Sequence, residues 1–395
     1  MAQGQLRTLR GVEVQGKRVL LRVDCNVAVD EEGRPMPGGE QRLRAILPTI
    51  QHLQSQGART ILLSHLGRPG GKHVETLRLE NVARQLRALA GFPIRYVPDI
   101  HGAQARAASE QLRDGEVILL ENLRFDAGEE KADLLFAEAL AALGELVVQD
   151  AFSVSHRKHA SVAVLSRLRP SYAGLLLEKE VAMLERVLTT PERPAVAILG
   201  GAKLETKLGL MRHLLTRVDV ILTGGGIANT LLRVGGASLR VGLVETQPPP
   251  EVTELLSEHR KNIQMPTDVR VVRGVGREVH PLMLPVSALT PADDVRDIGP
   301  ETAAAYCAII AQAKTCVWNG PVGKFEEPPF DEGTKHIARC VQSSPAFSVV
   351  GGGDTVRAIS EMGLLQKFTH VSTGGGAMLT FLEGAPMPGL EPLYG

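Results

Sequence analysis

The sequence predicts a two-lobed α/β protein, each lobe a mostly parallel sheet flanked by helices. Three observations carry that reading. Short β-rich apolar runs alternate with helix-like segments throughout, as βα units require. A length of 395 residues suits two domains of ordinary size. The residues that follow the apolar runs also change character halfway along, from cationic to glycine-rich.

In chain order, the first half offers strands over 18–23, 60–63, 116–120 and 145–148. The second half offers 195–199, 218–222, 270–272, 315–318, 347–350 and 370–371. Between the first two strands, residues 41–56 read as a helix. Leu43, Ile46, Leu47, Ile50 and Leu53 share one face there, and Gly57 supplies the stop. Pro48 lies inside that pattern and should kink it or mark its first turn. A helical segment over 176–188 runs into Thr189-Thr190-Pro191-Glu192-Arg193-Pro194, which reads as an interdomain connection. The boundaries expected are 1–172 for the first domain, 173–190 for an interdomain helix and 191–383 for the second domain.

Composition removes several function classes. Lys+Arg and Asp+Glu both total 44, so the net charge is zero, against a whole-chain nucleic-acid binder. No apolar run approaches the ~20 residues of a membrane-spanning helix. The N-terminal stretch lacks the apolar core of a secretory signal, so a cytoplasmic location is expected. Cys25, Cys307, Cys316 and Cys340 are scattered without a C-x-x-C and predict neither a disulfide framework nor a zinc site.

Ligands of open α/β sheets sit beyond the carboxyl ends of the strands. In the first half those ends deliver Arg22, Asp24 and Asn26 on one face of an alternating run. They then deliver Ser64-His65-Leu66-Gly67-Arg68, Glu121-Asn122-Leu123-Arg124 and Asp150-Ala151-Phe152 with His156-Arg157. A single arginine in such a place is ordinarily solvated. Arginines converging from four strands repel one another unless an anion joins them, and their planar forks suit carboxylate or phosphate. A small anionic substrate is the economical reading.

The second half places glycine clusters after its apolar runs: Gly200-Gly201-Ala202-Lys203, Gly224-Gly225-Gly226, Asn319-Gly320-Pro321, Gly351-Gly352-Gly353-Asp354-Thr355 and Gly374-Gly375-Gly376. Glycine lets backbone N–H groups approach a phosphate at a helix start. One pair makes a tight turn; five clusters indicate a nucleotide. Lys203 and Lys207 are four apart, hence on one face of a helix. Asp354, opening a helix beside phosphates, is placed to hold Mg²⁺. No Walker motif, true G-x-G-x-x-G or kinase H-R-D/D-F-G set is present, which weakens P-loop ATPases, dehydrogenases and protein kinases.

These blocks occur together and in order with Trp318-Asn319-Gly320-Pro321 and Ser372-Thr373-Gly374-Gly375-Gly376-Ala377, and over nearly the whole chain they resemble phosphoglycerate kinase. The resemblance implies a Rossmann-like, bilobal, hinge-bending, monomeric kinase. It would move a phosphoryl group between 1,3-bisphosphoglycerate and ADP, giving 3-phosphoglycerate and ATP with Mg²⁺. It further implies that Arg22, Asp24, Asn26, Arg42, His65, Arg68, Arg124 and Arg157 line the phosphoglycerate site, with Arg42 nearest the transferred group. Nucleotide contacts would come from Gly201, Ala202, Lys203, Lys207, Gly225, Gly226, Asn319, Pro321, Glu326, Gly352, Gly353, Asp354 and Thr355. Asp354 would carry the metal and Glu326 the ribose. Arg42, Lys203, Gly375 and Gly376 would act on the reacting centre, and the tail 384–395 would pack on the first domain. The chain departs from the family pattern at Ser153-Val154-Ser155, at Lys324 with Pro328-Pro329, and at Gly38-Gly39. The rival expectation is a non-enzymatic, two-lobed sensor of nucleotide or sugar phosphate, needing neither metal nor a cation on the reaction line.

Overall fold

Short runs, most of them apolar and two to six residues long, form the strands. The computed structural model describes residues 4–240, 249–273 and 281–395. It divides into two units, Met1–Ala182 with Pro386–Gly395, and Met183–Ala385.

The first unit runs β1 (Arg18–Arg22), α1 (Glu40–Ser55), β2 (Arg59–Leu63), α2 (Glu80–Ala90), β3 (Arg95–Tyr96), α3 (Ala103–Glu110) and β4 (Val117–Leu119). It continues with α4 (Ala127–Glu130), α5 (Leu134–Ala141), β5 (Leu146–Gln149), α6 (Leu165–Leu168), β6 (Ser171–Ala173) and α7 (Leu175–Thr189). The sheet is parallel, in the order β3-β4-β2-β1-β5-β6. Alternation along the strands sends Val19, Leu21, Leu62 and Val148 into one core layer, and Leu20, Ile61, Leu63 and Val147 into the other. α1 buries the five apolar residues of its predicted face and continues unbroken past Pro48, which is on its exposed side. The C-terminal residues join this unit. Leu393 accepts from the Arg7 amide, the Gly389 amide donates to Ser155, and Leu390 and Leu393 are buried. α7 begins in the first unit and ends in the second, with Asp150 accepting from the amides of Leu176 and Leu177 at its start.

The second unit runs β7 (Ala195–Leu199), α8 (Leu208–Leu215), β8 (Val220–Thr223), α9 (Gly225–Val234), α10 (Glu251–Glu258), β9 (Ile263–Gln264), β10 (Asp268–Arg273), β11 (Pro281–Pro285) and β12 (Asp293–Ile298). Then follow α11 (Pro300–Gln312), β13 (Thr315–Asn319), α12 (Glu332–Ser343), β14 (Phe347–Gly351), α13 (Gly353–Glu361), β15 (His370–Val371) and α14 (Gly376–Leu382). Its main sheet is parallel, β15-β14-β13-β7-β8-β9, around Ile198, Leu222, Trp318 and Val350.

Two expectations are corrected here. The run at 270–272 is a strand, but it belongs to a separate antiparallel sheet, β11-β10-β12, and not to the parallel one. Its partners were hidden by prolines bounding exposed β11 and by three aspartates in β12. Cys307 on α11 and Cys340 on α12 are joined as a disulfide with their Cα atoms 5.5 Å apart. The pairing is carried by helix packing, which a separation of 33 residues does not reveal. Among the described residues no helix is long and apolar enough to cross a membrane.

Candidate active site

In the first unit β1 lies between β2 and β5, and the loops leaving these three strands gather the cationic residues. Arg22 closes β1 and is fully buried. Its Nε donates to Ser161 Oγ at 2.9 Å, Nη1 donates to the Val23 carbonyl, and Nη2 is 3.1 Å from His65 Nδ1. A guanidinium has donors only, so His65 Nδ1 accepts and its proton sits on Nε2. Burial, reinforced by Arg22, holds the His65 pKa well below the ordinary value, so the ring is a neutral donor.

Asp24 orders the next layer. Its carboxylate accepts from Arg42 Nη1, from the Ser153 hydroxyl and, at 2.9 Å, from the Asn26 amide. Burial opposes its ionisation, but Arg42 and these hydrogen bonds prevail and lower its pKa. Arg42 stands in the first turn of α1, as expected. Asn26 Oδ1 accepts from the Gly67 amide at 2.8 Å, and Arg124 Nη1 donates to the Gly67 carbonyl at 2.7 Å. Gly67 thereby ties the loops after β1, β2 and β4 together. His159 is pushed down to about 4 by burial and by Arg124, Arg157 and Arg22. These groups therefore share one cationic field. Arg68 and Arg157 are exposed and pair with no carboxylate among the described residues.

The structure thus brings Arg22, Asp24, Asn26, Arg42, His65, Arg124 and Arg157 to one end of the sheet. Arg68 follows Gly67 on the same rim. Sequence reasoning missed Ser153, His159, Ser161 and Glu129. Ser153 occupies the loop that departs from the family pattern, and His159 extends the basic His156-Arg157 pair. Glu129 is buried in α4, whose sequence Ala-Gly-Glu-Glu resembles a surface turn and carries no signal.

In the second unit a pocket of about 370 Å³ opens where the loops after β7, β13 and β14 meet. Gly201, Ala202, Lys203, Lys207, Asn319, Pro321, Gly352, Gly353, Asp354, Thr355, Gly375 and Gly376 all line it. Backbones touch at its base. A Cβ on Gly200 would stand 2.0 Å from the Pro321 carbonyl oxygen, and one on Gly320, at φ +94°, would stand 2.2 Å from the Gly200 carbonyl oxygen. Only glycine fits either place. Thr355 Oγ1 accepts from the Gly320 amide at 2.7 Å, and Asn319 Nδ2 donates to Gly351 O at 3.0 Å, which locks β13 to β14 at the rim. Lys207 Nζ donates to Gly200 O at 2.7 Å and to Asn319 O at 3.2 Å. Burial lowers its pKa to about 8 against the pull of Asp354.

Three site expectations change. Lys203 and Lys207 both reach the pocket, but α8 begins only at Leu208. They come from the loop and a 3₁₀ turn over Glu205–Lys207, not from one helix face. Gly225 and Gly226 do not line the pocket. Gly225 stands behind Gly201, where its Cβ would be 3.0 Å from the Gly201 carbonyl, and Gly226 is buried in α9. Glu326 is exposed and is not among the lining residues of this pocket; its neighbour Glu327 pairs with Lys324 at 2.6 Å and with Arg296 at 3.0 Å. Thr206 and Leu379 are lining residues that the sequence did not single out.

Asp354 is exposed in the first turn of α13, forms no ion pair among the described residues, and contributes the one carboxylate of the pocket lining. Mg²⁺ is held by one or two carboxylates together with substrate phosphates, so this donor set fits it.

Comparison with known proteins places the two half-sites in context. The family model described as phosphoglycerate kinase matches residues 9–385. The chain is 48% identical over 391 residues to a phosphoglycerate kinase of Thermomicrobium roseum, covering 98% of this chain and 99% of the relative. It is 43% identical to that of Herpetosiphon aurantiacus, covering 98% of each. Among solved structures, the phosphoglycerate kinase of Coxiella burnetii superposes with a TM-score of 0.89 at 36% identity, covering 98% of this chain and 99% of that one. The enzyme of Pyrococcus horikoshii gives 0.85 at 32% identity, covering 98% of each.

Proposed function

The chain belongs to the phosphoglycerate kinase family, and from that premise we propose how its own residues divide the work of the reaction. The activity is the reversible transfer of a phosphoryl group between 1,3-bisphosphoglycerate with ADP and 3-phosphoglycerate with ATP. One observation carries the division of labour. One unit ends its strands in a cationic cluster built around buried Arg22, and the other ends them in a glycine-walled pocket holding Lys203, Lys207 and Asp354.

Arg22, Asp24, Asn26, His65, Arg68, Arg124 and Arg157 bind the phosphoglycerate. Arg22 is held rigid by Ser161 and His65, and neutral His65 offers its Nε2–H to the substrate. Arg42, kept in register by Asp24, approaches the transferred group. In the second unit Lys203, Lys207, Asn319, Thr355 and the amides of Gly201, Ala202, Gly352, Gly353, Gly375 and Gly376 hold the nucleotide phosphates. Gly225, Gly226 and Pro321 shape the wall behind. Glu326, exposed after β13, would hold the ribose. Asp354 would hold Mg²⁺, which when bound neutralises phosphate charge. The reaction asks the protein for positioning and charge neutralisation rather than covalent help. In the direction that phosphorylates ADP the nucleophile is an already ionised phosphate oxygen, so no general base is needed. Water must be excluded, so both substrates together draw the two half-sites closed.

The reading extends to a cytoplasmic monomer with no nucleic-acid or membrane partner; the zero net charge speaks against a whole-chain nucleic-acid binder. Nothing in either half-site favours the non-enzymatic sensor. A coupled assay tests the proposal: 3-phosphoglycerate and MgATP are supplied, and a dehydrogenase consumes 1,3-bisphosphoglycerate. Turnover that needs both substrates supports it. Binding of both without turnover would return the sensor.

A further inference from the structure

Outside both groups of site residues, α11 and α12, the helices before and after β13, present a second cluster of chemically competent side chains. His336 and Cys340 are four residues apart on α12 and so share one face, and Cys307 meets them from α11. The ligand atoms of the three, two sulfurs and one imidazole nitrogen, lie within 4.8 Å of one another. Both cysteines are partly exposed and His336 is exposed, so reductants and ions have access. None of the three lines the nucleotide pocket.

The two remaining cysteines are of another kind. Cys25 and Cys316 are fully buried, and burial pushes each up to about 12, which leaves them inert. The disulfide is also not what holds α11 to α12. Ala303, Tyr306, Ile310, Ile337, Ala338 and Val341 already pack the two helices into one core. Reduction therefore leaves two thiols beside an imidazole on a preformed, close-packed surface. Thiolate and imidazole are the donors that select thiophilic ions, and three such ligands with an open fourth position suit tetrahedral Zn²⁺.

We propose that Cys307, His336 and Cys340 form a redox-gated site for a thiophilic divalent cation of the zinc class, closed by the Cys307–Cys340 disulfide and opened by a dithiol reductant. In the opening step two electrons and two protons pass from the reductant to the disulfide, giving two thiols and an oxidised, cyclic reductant disulfide. Metal binding then releases the two thiol protons to solvent. Oxidised and metal-bound forms exclude each other, because the same two sulfurs serve both.

The test uses the full-length protein without nucleotide, reduced with excess dithiol, freed of reductant under anaerobic conditions, and titrated with Co²⁺. One equivalent should produce a sulfur-to-cobalt charge-transfer band with the visible bands of tetrahedral cobalt, and Zn²⁺ should displace it. The untreated oxidised protein should show neither. Cys307→Ser should abolish the charge-transfer signature of the paired thiolates. His336→Ala, which keeps both cysteines, should weaken binding by about 10-fold or more. The proposal is overturned if the reduced protein gives no sulfur-to-cobalt band, if the band survives Cys307→Ser undiminished, or if excess dithiol leaves the pair oxidised.

Discussion

The Ser161 hydroxyl donates to Glu129 Oε1 at 2.6 Å while accepting from Arg22 Nε at 2.9 Å, so one serine links a fully buried arginine to a fully buried carboxylate. The Ser161 amide adds a second bond to Glu129, at 2.9 Å. Because the hydroxyl has a single proton, its commitment to Glu129 turns a lone pair towards Arg22. Glu129 also faces the positive field of Arg22 and Arg124.

Glu129→Gln should therefore destabilise the ligand-free protein by about 1.5–3 kcal/mol, the worth of a hydrogen bond to a charged group. A bound anion supplies the lost negative charge, so saturating 3-phosphoglycerate should recover part of that loss. Denaturant unfolding with and without 3-phosphoglycerate measures both. An equal loss in the two conditions would show that Glu129 does not compensate the cationic cluster.

Arg42 and Arg68 should separate chemistry from binding. Arg42 is held by a buried carboxylate at the first turn of α1, whereas Arg68 is exposed and unpaired by any carboxylate among the described residues. Arg42→Ala should lower kcat by roughly 10³-fold, as removal of a cationic finger does, with the KM for 3-phosphoglycerate little changed. Arg42→Lys should restore little, since a point charge does not replace a planar fork. Arg68→Ala should chiefly raise KM. Steady-state kinetics decide, and a pure KM effect for Arg42→Ala would reduce it to a binding residue.

The proposed transfer between groups carried by separate units predicts closure on the two substrates. Small-angle scattering should record compaction with 3-phosphoglycerate and nucleotide together, and less with either alone. An unchanged radius of gyration in the ternary complex would count against closure.

How far the sequence could be read depended on whether a feature is local. Arg22, Asn319 and Gly352 were legible because each ends an apolar run, and strand ends are where such folds bind ligands. Glu129 and Ser161 were not, since their partners are Arg22 and one another across the fold. Strand β10 was visible in its valines, but its sheet was not, because β11 is proline-bounded and β12 is rich in aspartate. Cys307 and Cys340 meet only through the packing of two helices, and no spacing rule reaches that far.

Metal dependence should run through Asp354. It is exposed in the first turn of α13, so Asp354→Ala should leave the fold intact while turnover at limiting Mg²⁺ falls strongly. Chelation of Mg²⁺ should stop wild-type turnover and leave little for the substitution to remove. Thermal unfolding checks the fold, and Mg²⁺ titration of activity checks the site. Wild-type turnover by the variant at limiting Mg²⁺ would take Asp354 out of the metal's reach.

Lys207 should make nucleotide binding depend on pH. In the ligand-free protein its ammonium donates to two backbone carbonyls, and burial brings its pKa down to about 8. A phosphate beside it stabilises the charged form and raises that pKa again. Below pH 8 the lysine already carries its proton, and binding requires none. Above pH 8 the free protein has lost the proton and must take one up to bind. Affinity for ADP should then fall with rising pH, approaching about tenfold per unit while the bound form stays protonated. Lys207→Met should bind more weakly at every pH and lose this slope. Lys207→Arg should also lose it, because a guanidinium keeps its charge throughout the range. Isothermal titration near pH 9 in two buffers of different ionisation enthalpy counts the protons directly. Uptake approaching one proton in the wild type and none in Lys207→Met is the expected result; equal uptake in both would place the titrating group elsewhere.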